Sequence, residues 1–379
     1  MPRVATFIGT RPEAIKMAPV IRALEAAPDF EPIVISTGQH REMLQQVVDL
    51  FELPVHERLD VMQPNQTLAS LTSRLITACD EVLGRVNPDY ALVQGDTTTV
   101  LAASLCCFYR RIPIGHVEAG LRTGNLLAPF PEEANRVLAG RLVDLHFPPT
   151  EFGRQNLLRE GVSDSRIFVT GNTVIDALHL EVERQKRSEA RAAIDATLGA
   201  ALGADWREKQ FVLVTGHRRE NFGGGFDEIC KGLAQLAERF PDMRFVYPVH
   251  LNPNVQRPVK EQLGRFSNIL LIDPQPYSTF VALMAACTLV LTDSGGVQEE
   301  APGLGKPVLV MRETTERPEG VDAGTVKLVG ASSERIVSEV SRLLTDRAAY
   351  KQMAEAVNPY GDGKASGRIV EALRTSSVR

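Results

Sequence analysis

Cysteine is scarce in this chain of 379 residues: Cys79, Cys106, Cys107, Cys230 and Cys287 are the only five. An odd count without metal-type spacing excludes a disulfide scaffold and a zinc ribbon, and fits free thiols in a reducing cytoplasm. Cys106 and Cys107 fall in an apolar helical run and read as buried packing. Long apolar runs are missing too. The stretch 280–291 is too short for a membrane span and carries Thr288. The start, Met1-Pro2-Arg3-Val4-Ala5-Thr6-Phe7-Ile8-Gly9, runs straight into Arg11, Glu13 and Lys16, unlike a signal peptide. No dense Lys/Arg block occurs, and 42 basic residues face 47 acidic ones, net -5. Nucleic acid and anionic membranes are therefore not expected as main partners, whereas a small anionic ligand needs only a local cluster. Neither a Walker motif nor a Gly-x-Gly-x-x-Gly fingerprint follows the first strand, so nicotinamide and flavin lose their main support. Fixed-period repeats and low-complexity tracts are also absent.

What is present is ordinary globular composition, 44% hydrophobic and 23% charged. A chain of this length buries about three quarters of its extended surface, enough for two cores. Short apolar strands alternate with helices. Strands are expected at 4–8, 33–36, 90–93 and 114–117, with helices from Glu13 (kinked at Pro19), at 39–51, 66–86, 97–110 and 132–143. The second half repeats the rhythm, with strands at 211–214, 244–247, 269–272, 289–291 and 308–311. Such strands, lacking strict alternation, argue parallel sheets covered on both faces. The fold class is α/β, as two doubly wound domains. The boundary is placed between 171 and 210, where 184–201 reads as a solvated helix plus linker. A last helix begins near Ser366.

In open α/β sheets, ligands bind beyond the carboxyl ends of the strands. Six stretches stand there. Gly9-Thr10-Arg11-Pro12-Glu13-Ala14-Ile15-Lys16 offers two cations and helix N–H groups to a phosphate, or is a solvated turn. In Gln94-Gly95-Asp96-Thr97, Asp96 either caps the next helix or faces a ligand. His116-Val117-Glu118 ends a buried strand with a carboxylate that needs a partner or a task; the two side chains share a face if the strand continues, and no third metal ligand follows. In Pro131-Glu132-Glu133-Ala134-Asn135-Arg136, Glu132 either pairs with Arg136 at i,i+4 or one of the two glutamates points to a ligand. Asp96, Glu118 and Glu132 would form an acid cluster, in which mutual repulsion raises a carboxyl pKa. Thr215-Gly216-His217-Arg218 offers a proton carrier and a cation. Asp293-Ser294-Gly295-Gly296 presents backbone N–H groups suited to a diphosphate, with Glu300 a turn further on and Arg312 and Arg317 nearby.

Taken together, these blocks resemble the non-hydrolysing UDP-N-acetylglucosamine 2-epimerases of bacteria, over essentially the whole chain. The likeness runs through 9–19, 39–44, 95–99, 115–123, 131–136, 170–177, 215–221, 247–254, 292–309, 314–319 and 358–363. It implies two Rossmann-like domains around a central cleft, in a glycosyltransferase-B-like architecture. Residues 1–170 would form the sugar and catalytic side, 171–360 the UDP side, and 361–379 a helix packing back on the first domain. It implies reversible epimerisation at C2 through loss of UDP to 2-acetamidoglucal and re-addition. The enzyme would be a cytoplasmic homodimer without redox cofactor or metal, feeding an envelope polysaccharide.

Carried over by position, the catalytic residues are Asp96, Glu118, Glu132 and His217. Substrate contacts fall to Arg11, Lys16, Arg136, Arg218, Arg317 and Phe280 (the last near uracil, or in the core), with Ser294, Gly295 and Gly296 at the diphosphate and Glu300 at the ribose. Some members are activated by a second UDP-N-acetylglucosamine. The region resembling theirs holds Gln39, Glu42 and Asn65, the latter two standing where activator-binding members carry Gln and Arg. Gln94 departs from the family, whose close members often place His there. The rival readings are a UDP-sugar glycosyltransferase, a hydrolysing epimerase releasing N-acetylmannosamine, and a nucleotide-sugar sensor. A sensor has no need of the acid cluster, and a transferase needs an acceptor pocket.

Overall fold

The computed structural model describes residues 1–38, 41–63 and 65–376. The chain forms two units, 1–177 with 360–379, and 178–359. In the first, β1 (Arg3–Ile8), α1 (Arg11–Glu25), β2 (Glu31–Ser36), α2 (Arg41–Leu50), β3 (Val55–Arg58), α3 (Leu68–Val86), β4 (Tyr90–Gln94), α4 (Thr98–Arg110), β5 (Ile114–Val117), α5 (Glu132–Leu142), β6 (Leu145–Phe147) and α6 (Glu151–Arg159) alternate. Helix α7 (Thr173–Arg184) contains the division, which thus falls beyond the expected 170 because its first turn belongs to the first unit. The second unit holds α8 (Ser188–Leu202), β7 (Phe211–Thr215), α9 (Gly224–Arg239), β8 (Arg244–Pro248), α10 (Pro253–Leu263), β9 (Ile269–Ile272), α11 (Tyr277–Ala286), β10 (Leu289–Thr292), α12 (Gly295–Glu300), β11 (Val308–Val310), α13 (Pro318–Asp322), β12 (Val326–Leu328), α14 (Ser333–Thr345) and α15 (Arg347–Ala354). The chain then returns to the first unit with α16 (Ala365–Thr375).

Both sheets are parallel, and both have the Rossmann order. The first runs β3-β2-β1-β4-β5-β6 and the second β12-β11-β10-β7-β8-β9, so each reverses direction between its first and fourth strands. The chain is therefore two Rossmann-like α/β units, the pairing found in glycosyltransferase-B-like architecture. The central strands are buried along their length, as their apolar runs require. Three edge strands escaped the sequence reading. β3, Val-His-Glu-Arg, alternates and is half exposed, while β6 and β12 have three residues each. Edge strands need only one neighbour, so their composition is less constrained.

Threonines start several helices. Thr10, Thr67, Thr97 and Thr150 each accept a backbone N–H three residues on, at 3.2–3.4 Å. Pro19 does not break α1, which continues from Arg11 to Glu25. The lost backbone bond is offset by an apolar face in which Ala18, Val20 and Ile21 are wholly buried. Nor is α8 a merely solvated helix: Ile194, Leu198 and Leu202 form a buried stripe, and α8 packs on α11.

Helix α16 packs on α1. Its first turn is capped by buried Asp176, which accepts Ala365 N–H (3.2 Å), Ser366 N–H (2.8 Å) and Ser366 Oγ–H (2.7 Å). Arg374 at the other end pairs with Asp29 at 2.6 Å. Asp176→Ala should lower unfolding free energy by about 1–2 kcal/mol, the worth of a strong cap. Urea unfolding checks this, and amide exchange across 365–375 should accelerate.

Candidate active site

In the first unit the switch point lies between β1 and β4, and a buried carboxylate spans it. Glu13 accepts Gly9 N–H (2.9 Å) and Thr10 N–H (2.6 Å) after β1, and Thr97 Oγ–H (2.6 Å) after β4. Burial raises its pKa, while these donors pull the other way. Asp96 stands beside Thr97. The cap of α4 is Thr97, not Asp96, which leaves the aspartate side chain available. Gly95 makes the turn with φ +79°, a conformation suited to glycine.

Strand β5 ends at Val117, and Glu118 leaves it with φ +63°, so the face shared with His116 does not continue. The turn delivers the Glu118 carboxylate to Lys16, whose Nζ lies 2.6 and 2.7 Å from its two oxygens. Gln94 Nε2 and Asn172 Nδ2 donate to the same carboxylate, the latter at 3.3 Å. His116 stays in the sheet, and burial lowers its pKa to about 4.

Glu132 and Glu133 separate cleanly. Glu133 is buried and accepts Thr123 and Gly124 N–H at 3.0 Å each, which pins the loop after Glu118. Glu132 is half-buried and its carboxylate makes no hydrogen bond or ion pair among the described residues. The proposed Glu132–Arg136 side-chain pair is not formed. Arg136 turns instead to Asp96 (3.1 Å) and Glu133 (3.4 Å) and donates to the Glu132 carbonyl oxygen. Those two carboxylates flank a guanidinium that is itself buried. Burial lifts the pKa of Asp96; Arg136 opposes this, and Glu118 and Glu132 add to it. Arg11, at the start of α1, is half-buried and makes no hydrogen bond or ion pair among the described residues.

The second unit answers with the same device at its own switch point. Asp293, wholly buried after β10, accepts His217 N–H (2.9 Å), Arg218 N–H (2.8 Å) and Asn221 Nδ2–H (3.3 Å) from the loop after β7. His217 stacks on His250 with ring centres 5.6 Å apart and has Nδ1 3.4 Å from Asp293. Burial lowers its pKa; Asp293 opposes that, and Arg218 and His250 reinforce it. Gly295 and Gly296 open α12 without a side-chain cap, so their N–H groups face a ligand or solvent, whereas Ser294 N–H donates to Thr292 Oγ1 at 2.9 Å. A Cβ on Gly295 would lie 2.5 Å from Arg317 Nη1, so glycine is what admits that guanidinium to the helix start. Glu300 is buried with Tyr277 Oη donating at 3.3 Å, and its Oε2 lies 3.9 Å from the Cβ position of Gly296. Phe280 is half-buried one turn along α11 from Tyr277.

Glu316 gathers the arginines. It accepts Arg312 Nη1 (2.7 Å) and Arg317 Nη1 (3.1 Å), and Arg218 Nη2 is 3.8 Å away. Arg317 also meets Glu299 at 2.5 Å, and Arg312 meets Glu220 at 2.5 Å. Sequence reading missed Glu13, Asn172, Asp293, Glu299 and Glu316. Thr10-x-x-Glu13 is a capping-box spacing and was legible; Glu316 has the local partners Arg312 and Arg317, and Asn172, Asp293 and Glu299 depend on tertiary ones. Gln39 lies outside the described residues. Glu42 and Asn65 are exposed. Among the described residues no set of three or more His, Cys, Asp or Glu is placed to hold a metal, and no helix is long and apolar enough to cross a membrane.

The family model for UDP-N-acetylglucosamine 2-epimerase matches residues 22–374. The chain belongs to this family. The UDP-N-acetylglucosamine 2-epimerase of Escherichia coli strain K12 is 57% identical over 99% of both chains. That of Campylobacter jejuni is 48% identical over 98% of this chain and 97% of its own. Among solved structures, the Neisseria meningitidis UDP-GlcNAc 2-epimerase bound to UDP-GlcNAc has TM-score 0.88 and 48% identity, covering 99% and 100% of the two chains. The Methanocaldococcus jannaschii enzyme in complex with UDP-GlcNAc and UDP has TM-score 0.79 and 34% identity, covering 99% and 100%. In this epimerase-family chain the charged residues of the sequence motifs thus form two local groups. Lys16, Asp96, Glu118, Glu132 and Arg136 make the first. His217, Arg218, Arg317 and the Ser294–Gly296 turn, braced by Asp293 and Glu316, make the second.

Burial alone would raise the pKa of Glu316, but its own backbone N–H, Arg317 and Arg312 bring it down to about 2. A folded pKa below the unfolded 4.5 stabilises the protein above pH 4.5, and this is lost as pH falls towards 2. Glu316→Gln should therefore cost about 1–2 kcal/mol at pH 7, discounted because a third of the side chain is exposed. The difference from wild type should shrink between pH 4.5 and 2 in denaturant titrations.

Proposed function

We propose that the chain interconverts UDP-N-acetylglucosamine and UDP-N-acetylmannosamine by reversible epimerisation at C2. The single observation that carries the assignment of roles is the unequal treatment of three neighbouring carboxylates. Glu118 is held by an ammonium and two amides, Asp96 has a raised pKa beside Arg136, and the Glu132 carboxylate makes no hydrogen bond or ion pair among the described residues.

The reaction needs such a set. The C2 proton of the sugar is poorly acidic, with no adjacent carbonyl to stabilise an anion. Removing it while the C1–O bond to UDP breaks gives 2-acetamidoglucal and UDP without a free carbanion. UDP then re-adds at C1 as a proton arrives at C2 from the other face. Protons must be handled on two faces, and Asp96, Glu118 and Glu132 supply carboxyl groups in three different surroundings. His217, whose pKa burial lowers, is a further acceptor. Since coupled carboxyl groups titrate as a unit, the roles belong to the set.

The leaving diphosphate carries the developing charge, and fixed N–H dipoles with cations stabilise it most. Gly295 and Gly296 through their N–H groups, Ser294 through its hydroxyl, and Arg317 and Arg218 have that chemistry. Glu300, beside the same turn, suits the ribose diol, and Phe280 the uracil. Lys16, Arg11 and Arg136 serve the sugar and phosphate side. The names of the relatives solved with UDP-GlcNAc and UDP support this substrate class. Family resemblance further supports a cytoplasmic homodimer, which light scattering on the purified protein checks.

Proton NMR in D₂O with UDP-N-acetylglucosamine tests the reading. UDP-N-acetylmannosamine should grow to a constant ratio, with deuterium entering C2 and no lasting free sugar. Accumulating free N-acetylmannosamine would reassign the chain to hydrolysis, and no turnover from either sugar nucleotide would favour a transferase or sensor. Asp96→Asn, Glu118→Gln, Glu132→Gln and His217→Ala should each slow turnover by about 10²-fold or more. A folded carboxylate variant with normal turnover removes that residue from the mechanism.

A further inference from the structure

The turn Gly95-Asp96-Thr97 is held by three side chains, one from each of the other elements that carry a charged site residue. Strand β5, which ends one residue before Glu118, sends His116: its Nε2 lies 2.7 Å from the Gly95 carbonyl oxygen. Helix α5, which carries Glu132 and Arg136, sends Asn135: its Nδ2 donates to the Asp96 carbonyl oxygen at 2.9 Å. Helix α1, which carries Lys16, sends Glu13: it accepts the Thr97 hydroxyl at 2.6 Å. These partners meet three successive residues of one turn. All three are buried, at 1% (His116), 5% (Asn135) and 3% (Glu13) exposed.

We infer that His116, Asn135 and Glu13 are positioning residues for epimerisation, which set the Asp96 carboxyl against Glu118, Glu132 and Lys16 without touching substrate. A carbonyl oxygen can only accept, so His116 Nε2 carries the proton and donates. His116 Nδ1 is buried and has no hydrogen-bond partner among the described residues, as befits a lone pair in a fixed neutral tautomer. Gly95 needs this support because φ +79° leaves a glycine turn with little stiffness of its own. A misplacement of about 1 Å in a catalytic group can cost about 10²-fold in rate. The three ties make the loop after β4 move with the elements that carry the other charges, so their spacing is preserved together.

The inference rests on the proposed reaction, and the test separates the two. Wild type, His116→Phe, His116→Gln and Asn135→Leu are compared for kcat, KM for UDP-N-acetylglucosamine, UDP affinity by calorimetry and Tm. Gln places an amide donor near the position of the imidazole Nε2. His116→Phe and Asn135→Leu should lower kcat by about 10- to 100-fold, with KM and UDP affinity within about twofold. His116→Gln should recover kcat to within about threefold of wild type. A folded His116→Phe with wild-type kcat overturns the inference. So does a loss of kcat matched by an equal loss of UDP affinity, or one that Gln does not rescue. If His116→Phe fails to fold, Asn135→Leu decides, and wild-type kcat there overturns it. An inactive wild type refutes the reaction instead.

Discussion

A carboxylate taken out of water must find donors, and in this chain that requirement fastens the loops at both switch points. Where the strand order reverses, Glu13 accepts N–H and O–H groups from the loops after β1 and β4, and Asp293, itself just after β10, accepts N–H groups from the loop after β7. Remove the donors and the buried charge becomes expensive; keep them and the loops are fixed together. The two units arrive at this from opposite sides. Glu13 belongs to the helix after the first strand and reaches to the fourth, whereas Asp293 follows the fourth strand and reaches back to the first. Equal topology thus leads to equal constraint through different residues.

From that base the units diverge in chemistry. The first assembles carboxylates and cations at close quarters, with one carboxylate left open. The second surrounds a short helix start with arginines and a histidine whose pKa burial lowers. The backbone conformation of Glu118 is the joint between fold and site in the first unit. A strand that simply continued would aim alternate side chains to opposite faces. The left-handed residue instead swings the carboxylate across β4 to Lys16 on α1.

The central strands were legible because they are buried on both faces and so read as unbroken apolar runs. β3 and β12 were not, because an edge strand can carry His, Glu, Arg or Lys without penalty. The strand-end motifs marked the right loops, since polar residues directly after buried strands have few places to go. Sequence could not decide between Glu132 and Glu133, which share a helix turn; only the loop that folds back to donate Thr123 and Gly124 N–H distinguishes them. Glu316 drew no notice because its neighbours Arg312 and Arg317 look like surface pairs in the sequence, and only the fold adds the distant Arg218. The matched relatives extend the family reading across the chain, but the different surroundings of its carboxylates come from local geometry.

The arginines near the start of α12 are already matched by acidic partners. Arg218, Arg312 and Arg317 face Glu220, Glu299 and Glu316. A site neutralised in advance has little long-range field, so it does not gather phosphate ions from solution merely by charge. An anion gains there mainly by direct hydrogen bonding to oriented N–H groups, at contact distance. Recognition built in this way depends weakly on ionic strength, and in a cell crowded with simple phosphates it favours ligands that bring more than their charge.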